Sequence, residues 1–285
     1  MPEQPSALTD ELAATLRHEL GRQDVPARPS PGAFPPDRLG QVHVLIEPQR
    51  WLREHGAAPA AAVLRRTIVL FERTPAVGDE ALLELLDGAG AVFVSDARQA
   101  VALRRMSDLQ PRMLRPGYSE YLDRFDPDID RDLDVFVIGG DAGYLDGVAP
   151  SLAGRPGAIA GRGASRLQAL SRTKLAINLH DGAESQLEWR QVLDAIHCGA
   201  VVVSEHSDGI SPLEPGEHLL VGARDSLPLL ADALLRDPAR LARMRVAAHE
   251  RLRSWMPYAL AVSVLRAAIV ELVGEPVEAV EMELR

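Results

Sequence analysis

The stretch Leu170-Ser171-Arg172-Thr173-Lys174-Leu175-Ala176-Ile177-Asn178-Leu179-His180, followed by Glu188-Trp189-Arg190-Gln191-Val192-Leu193-Asp194-Ala195-Ile196-His197-Cys198-Gly199-Ala200-Val201-Val202-Val203-Ser204-Glu205, decides the class of fold. The short apolar runs 175–179 and 200–204 predict strands, and 188–197 between them predicts a helix that Gly199 ends. Strands alternating with helices of this length imply a parallel sheet with helices on both faces. Outward from this unit the pattern continues. Towards the N-terminus lie a helix over 165–170, a short strand at 157–160, a helix over 144–153 and a strand over 134–138 that runs into Gly139-Gly140. Towards the C-terminus, a loop rich in Gly and Pro reaches a strand at 218–221, and helices over 226–235, 238–253 and 258–273 follow.

A second run of the same kind precedes it. A helix over 6–20 with Leu8, Leu12, Leu16 and Leu20 on one face is stopped by Gly21, and the proline-rich residues 25–37 read as an extended connector. Strands at 42–46, 67–71, 91–95 and 113–114 alternate with helices over 49–64, 79–86 and 96–106. Residues 116–132, with Pro-Gly-Tyr and a run of Asp and Arg, read as a hinge. The expected architecture is therefore α/β with two Rossmann-like lobes, the N-terminal one reduced: 1–130, then 131–257, then 258–285. The last piece is a closing helix returning to the first lobe through the stripe Leu260, Val264, Ala267, Ala268 and Leu272.

Bulk properties narrow the function. A chain of 285 residues, 46% hydrophobic and 25% charged, suits two domains that each bury a core and lacks the signature of disorder. A net charge of −10 argues against a nucleic-acid surface. Cys198 is the only cysteine, which excludes an intramolecular disulfide and points to a reducing compartment, so a cytoplasmic location is expected. No run approaches the roughly 18 apolar residues of a transmembrane segment. No Asp-x-Asp pair follows a strand where it would hold a metal, Asp128-Ile129-Asp130 falling in the hinge, so no metal and no cofactor are expected.

The quoted stretch resembles the donor lobe of GT-B glycosyltransferases, and within them the spore-maturation-type group, whose helix reads Arg, a few mostly apolar residues, an acid, Ala, two more residues and Cys-Gly. Pro215-Gly216-Glu217-His218, Asp225 and the arginine-rich helix ending near Trp255 follow the same layout. The resemblance spans nearly half the chain. It implies metal-independent transfer of a sugar from a UDP-, GDP- or dTDP-sugar to an unidentified acceptor. Two departures stand out. Retaining members carry two Glu separated by seven residues, whereas here Gln186 takes the first place and Asp194 the second. The loop that often carries an arginine and a later lysine reads Gly139-Gly140-Asp141-Ala142-Gly143. The alternative implied by these departures and the short first lobe is a non-catalytic GT-B-like partner of another transferase. A homo-oligomer or partner protein completing that lobe is a corresponding expectation. A sugar-nucleotide 2-epimerase is a further relative.

Breaking a sugar–phosphate bond builds charge on a diphosphate, which cations, helix N-termini and backbone amides can stabilise. The expected donor-binding residues are Gly139, Gly140, Lys174, His180, Ser185, Glu188, Arg190 and Asp194, gathered where the strands end or at the helix start. Arg190 would grip phosphate, and Asp194, or Glu188 in a shifted register, the ribose hydroxyls. Each has a plainer reading: the glycine pair as a turn, His180 as a packing residue, Arg190 and Asp194 as a salt bridge four residues apart. In the first lobe Glu47 and Glu72 each close a strand and are the candidates for a catalytic base; both could equally cap helices or pair with Arg50 and Arg73.

Overall fold

The computed structural model of the chain describes residues 6–30, 41–56, 58–72, 79–138, 159–160, 165–180, 187–274 and 279–283. These form two compact units, one of Gly117–Pro257 and one of Gln4–Pro116 with Tyr258–Arg285.

The second of these holds a six-stranded parallel sheet. Its strands are β1 (Ala27–Ser30), β2 (Gln41–Ile46), β3 (Thr67–Phe71), β4 (Ala91–Val94), β5 (Arg112–Met113) and β11 (Ala279–Glu283), in the order β1-β11-β2-β3-β4-β5. β3 is buried along its whole length, and its residues alternate between two cores, as strands covered on both faces must. Ile68 and Leu70 join Val44 and Ile46 under α1 (Ser6–Gly21), while Val69 and Phe71 join Leu45 under α2 (Pro48–His55), α4 (Glu80–Gly88) and α5 (Ala97–Met106). Asp79 caps α4 by accepting from Leu82 N–H at 3.2 Å, and Asp96 caps α5 by accepting from Arg98 and Gln99 N–H at 2.8 and 2.9 Å. The expected single helix over 49–64 is two, α2 and α3 (Ala61–Leu64), broken where Gly56 takes φ +77°.

Two expectations need correction here. Part of the presumed connector is β1, which pairs in parallel with β11, and β11 in turn lies against β2, so both ends of this unit's sequence close its sheet. The closing helix, α10 (Tyr258–Val273), packs through Tyr258, Val262, Leu265, Ala268 and Ile269 against Ala13, Leu16 and Leu20 of α1. Of the expected stripe, Ala268 is buried in this core and Leu272 packs against it, whereas Leu260 is 67% exposed and Val264 42% exposed. Apolar residues lie on most sides of the helix, and the face that packs on α1 is the one carrying Tyr258, Val262, Leu265 and Ile269, opposite exposed Ser263 and Arg266.

The other unit carries β6 (Leu133–Ile138), β7 (Ile159–Ala160), β8 (Thr173–Asn178), β9 (Val201–Glu205) and β10 (Leu219–Gly222), all parallel in the order β10-β9-β8-β6-β7. Val135, Val137, Leu175, Ile177, Leu179, Val201 and Val203 face α8 (Leu227–Leu235) and the first turns of α9 (Pro238–Trp255). Phe136, Ile138, Ala176 and Val202 face α7 (Trp189–His197). α6 (Ser165–Ser171) precedes β8. The helix expected over 144–153 lies outside the described residues.

The segment entering this unit is pinned by a polar cluster. Tyr118 OH donates to Asp123 at 2.6 Å, and His249 Nε2 lies 3.1 Å from both oxygens of that carboxylate. His197, stacked on Tyr118 with ring centroids 5.3 Å apart, donates from Nδ1 to Leu193 O and accepts Ser119 N–H at Nε2 over 3.1 Å. Burial raises Asp123, but the bonds from His249, Tyr118 and Phe125 N–H outweigh it and hold the carboxyl at about 2. Burial, helped by the nearby His249 and Arg124, takes the His197 imidazole down to about 4.

Candidate functional site

In an open parallel sheet the ligand sits beyond the carboxyl ends of the strands. In the 117–257 unit that edge is marked by Ile138 beside Asn178, Asn178 beside Ser204, and Glu205 beside Gly222. A polar group is built there. Glu205 receives Arg224 Nε on one oxygen at 2.9 Å and Arg224 Nη2 on the other at 3.0 Å. The same ion pair holds both peptide groups of His180: its N–H donates to Glu205 at 2.7 Å, and its carbonyl accepts from Arg224 Nη2 at 3.0 Å. Burial raises the Glu205 carboxyl, yet the bonds from Arg224 and from His180 N–H more than offset it and keep the group below its ordinary range. It is a stable anion paired to a cation, and its chemistry is to hold the strand ends together.

Inside this clamp, Asn178 Nδ2 donates to Ser204 Oγ at 3.0 Å, and Ser204 Oγ lies 3.4 Å from Ser207 Oγ. The His180 ring reaches Ser207 Oγ at 3.0 Å and His206 O at 3.2 Å through Nε2. Asn178 and Ser204 are fully buried and His180 is 6% exposed.

Of the residues expected from the sequence, His180 is at this edge. Glu188 is the N-cap position of α7, though its side chain does not bond the helix's own amides, and Arg190 is half-buried in the first turn. Gly139, Gly140 and Ser185 lie outside the described residues. Two others are held by ion pairs within the unit. Asp194 is 3% exposed, and its carboxylate is bound by Arg166 of α6 at 2.5 Å, an ion pair buried on both sides. It ties α6 to α7 and is engaged within the unit. Lys174 pairs with Asp134 at 2.7 Å where β8 and β6 begin. Four residues before Asn178, on a strand rising about 3.3 Å per residue, it stands at the opposite end of the sheet.

In the other unit, Glu47 and Glu72 do come together at the ends of β2 and β3. Glu47 takes a left-handed backbone at φ 57°, and its carboxylate accepts Glu72 N–H at 2.9 Å, while Gln99 Nε2 donates to Glu72 O at 2.8 Å. These bonds join strand ends to α5. Burial raises the Cys198 thiol to about 12, which leaves it protonated and without nucleophilic character. Among the described residues no group of three or more His, Cys, Asp or Glu could hold a metal ion.

Sequence reasoning missed Asn178, Ser207 and Arg224. The signal available was weak: an Asn within an otherwise apolar strand, and a strand-end acid at Glu205 with an arginine one strand further on.

Two sheets of parallel strands, each covered by helices on both faces, with a polar group at the carboxyl edge of one, define a two-unit Rossmann-like protein. Residues 134–259 match the family described as glycosyl transferase-like, and no curated protein sequence matches the chain. Among solved structures, sucrose-phosphate synthase from Thermosynechococcus elongatus is similar at 14% identity and a TM-score of 0.51, over 82% of this chain and 74% of that one. Anabaena HepE in complex with UDP-glucose is similar at 12% identity and a TM-score of 0.54, over 73% of each chain. TarM from S. aureus, in complex with UDP among other ligands, matches at 10% identity and a TM-score of 0.57, over 79% of this chain and 55% of that one. The chain thus has the GT-B fold, and the match to the glycosyl transferase-like family falls on residues 134–259. Among the described residues no helix is long and apolar enough to cross a membrane.

Proposed function

We propose that the protein transfers a sugar from a nucleotide-sugar donor to an acceptor without a divalent metal. The observation that carries this reading is the clamped polar group of His180, Glu205 and Arg224 at the strand ends of a glycosyl transferase-like domain. HepE, which shares the fold, is described in complex with UDP-glucose. In the proposed reaction the anomeric C–O bond to the diphosphate breaks as an acceptor hydroxyl attacks the same carbon. The acceptor proton passes to a base, for which Glu47 or Glu72 is the candidate, and the diphosphate leaves with the bonding pair. Arg190, in the first turn of α7, offers a fixed cation to that leaving group, and the α7 amides add the positive end of the helix dipole. Gly139, Gly140, Ser185 and Glu188 complete the proposed donor contacts; Lys174 and Asp194 do not belong to them.

Calorimetry of the full chain with UDP-glucose, GDP-mannose and dTDP-glucose, in chelator, tests donor binding, and release of free sugar from the bound donor tests catalysis. Binding that vanishes with chelator would refute the metal-free reading. Binding without any hydrolysis or transfer would favour a non-catalytic partner of another transferase.

A further inference from the structure

The hydrogen-bond directions around His180 follow from proton counting. Ser207 Oγ has one proton, donated to Glu205 O at 2.7 Å, so towards His180 Nε2 it acts as acceptor. His206 O, the other neighbour of Nε2, can only accept. Both neighbours therefore require the proton on Nε2, and the neutral ring presents a bare lone pair at Nδ1. That atom is buried and, among the described residues, finds no hydrogen-bond partner. The same holds two residues earlier. Asn178 donates through Nδ2 to Ser204, and its Oδ1 is buried with no partner among the described residues. Leu175, Ile177 and Leu179 pack on one side of this strand and Ala176 on the other, so Asn178 and His180 share the α7 side. Buried polar atoms are otherwise almost always satisfied, and two unspent acceptors two residues apart on one face, at the sheet edge where such folds bind ligands, call for a donor.

We propose that His180 Nδ1 and Asn178 Oδ1 form a paired acceptor that reads hydroxyl groups of the bound nucleotide sugar. This rests on the donor reading above and deepens it. Phosphate and carboxylate oxygens carry no proton to give, so the pair rejects the diphosphate and selects a polyol ring. The Glu205–Arg224 ion pair holds the His180 peptide at both its N–H and its carbonyl, which fixes the ring before the ligand arrives. His180 and Asn178 are here specificity-determining residues; the bond-breaking step belongs to other groups.

The test uses the intact chain and whichever of UDP-glucose, GDP-mannose and dTDP-glucose binds most tightly, with its single-deoxy analogues. One set lacks a sugar hydroxyl and the other a ribose hydroxyl, so the two sources of the donor proton are told apart. Two variants separate the two ring nitrogens: His180→Gln keeps a donor at the Nε2 position and removes the Nδ1 acceptor, and His180→Asn keeps an acceptor at Nδ1. Removing the recognised hydroxyl should weaken wild-type binding about fivefold, the worth of one neutral hydrogen bond. His180→Gln should bind the parent donor about fivefold more weakly and no longer distinguish it from that analogue, whereas His180→Asn should still discriminate. In nitrogen NMR the His180 Nδ1 signal should move from an unbonded to a hydrogen-bonded position on donor addition. Equal wild-type affinity for every analogue, or wild-type discrimination by His180→Gln, overturns the proposal while leaving donor binding standing. Failure of the wild type to bind all three donors overturns the donor reading itself.

Discussion

Acid should loosen the 117–257 unit through one residue, His197, in a window that its surroundings fix. The ring is 1% exposed, and its two nitrogens are committed to opposite roles, Nδ1–H donating to Leu193 O and Nε2 accepting Ser119 N–H. A proton added at Nε2 would lose the second bond and bury an unpaired charge, which is why burial takes the imidazole from 6.5 to about 4. The folded state thus binds this proton less readily than the unfolded state. Stability is whole above pH 6.5, falls as pH drops towards 4, and the loss levels off below that. At about 1.4 kcal/mol per pH unit, the full loss from this group is about 3 kcal/mol. His197→Phe keeps a flat ring against Tyr118 but takes away the acceptor of Ser119 N–H, which costs about 1–3 kcal/mol at pH 7. Urea unfolding followed by tryptophan emission, at steps between pH 7.5 and 4, should show the variant less stable at neutral pH and the two curves converging or crossing near pH 4. Wild type and variant running parallel across that range would refute the reasoning, because the difference between them would then owe nothing to protonation.

Gly199 sits at φ +74°, and a Cβ there would press on the Arg131 guanidinium, which donates to Ser171 O and Cys198 O; Gly199→Ala should cost about 3 kcal/mol or more, read as a lower urea midpoint. Arg166→Ala takes the guanidinium from a buried carboxylate at Asp194 and should destabilise by about 3–5 kcal/mol, whereas replacing both partners with Met and Leu should recover most of the loss; chemical denaturation of the three variants decides it. Arg190→Ala should weaken UDP binding more than tenfold in calorimetry with the circular dichroism melt unchanged, since a charge-assisted phosphate contact is worth about 1.5–3 kcal/mol.

The sequence carried the alternation of strands and helices well, because parallel strands covered on both faces are continuous apolar runs such as Thr67–Phe71, and their helices start at visible caps such as Asp79 and Asp96. It carried poorly whatever depends on which elements become neighbours. Residues 27–30, Ala-Arg-Pro-Ser, hold one proline and two polar residues within a proline-rich run and do not read as a strand. They form β1 because β11, some 250 residues later, supplies a backbone ladder that needs no particular side chains. The face of α10 failed for the complementary reason: with apolar residues on nearly every side, phase cannot be taken from periodicity and is set by contact with α1.

The candidate site divides along the same line. Arg190 and Asp194 stand four apart, so the sequence offers each as the other's partner; what it does not show is Arg166, 28 residues upstream of Asp194 and 2.5 Å from its carboxylate because α6 and α7 pack on one face of the sheet. Lys174 looked like a site cation because it is the chain's only lysine and adjoins the motif, yet strand direction alone puts it at the wrong edge: it begins β8, and ligands bind where β8 ends. Direction also identifies Asn178, which motif matching passed over, beside Ser204, which the sequence already places at a strand end. Asn178 and Ser204 lie 26 residues apart in the chain and become hydrogen-bonded neighbours only through the register of β8 against β9, which no local pattern encodes. A polar residue near the last position of an apolar parallel strand is therefore a sharper guide to the site than a charge near its first. Asn178, Ser204 and Glu205 all meet that criterion, and Lys174 fails it.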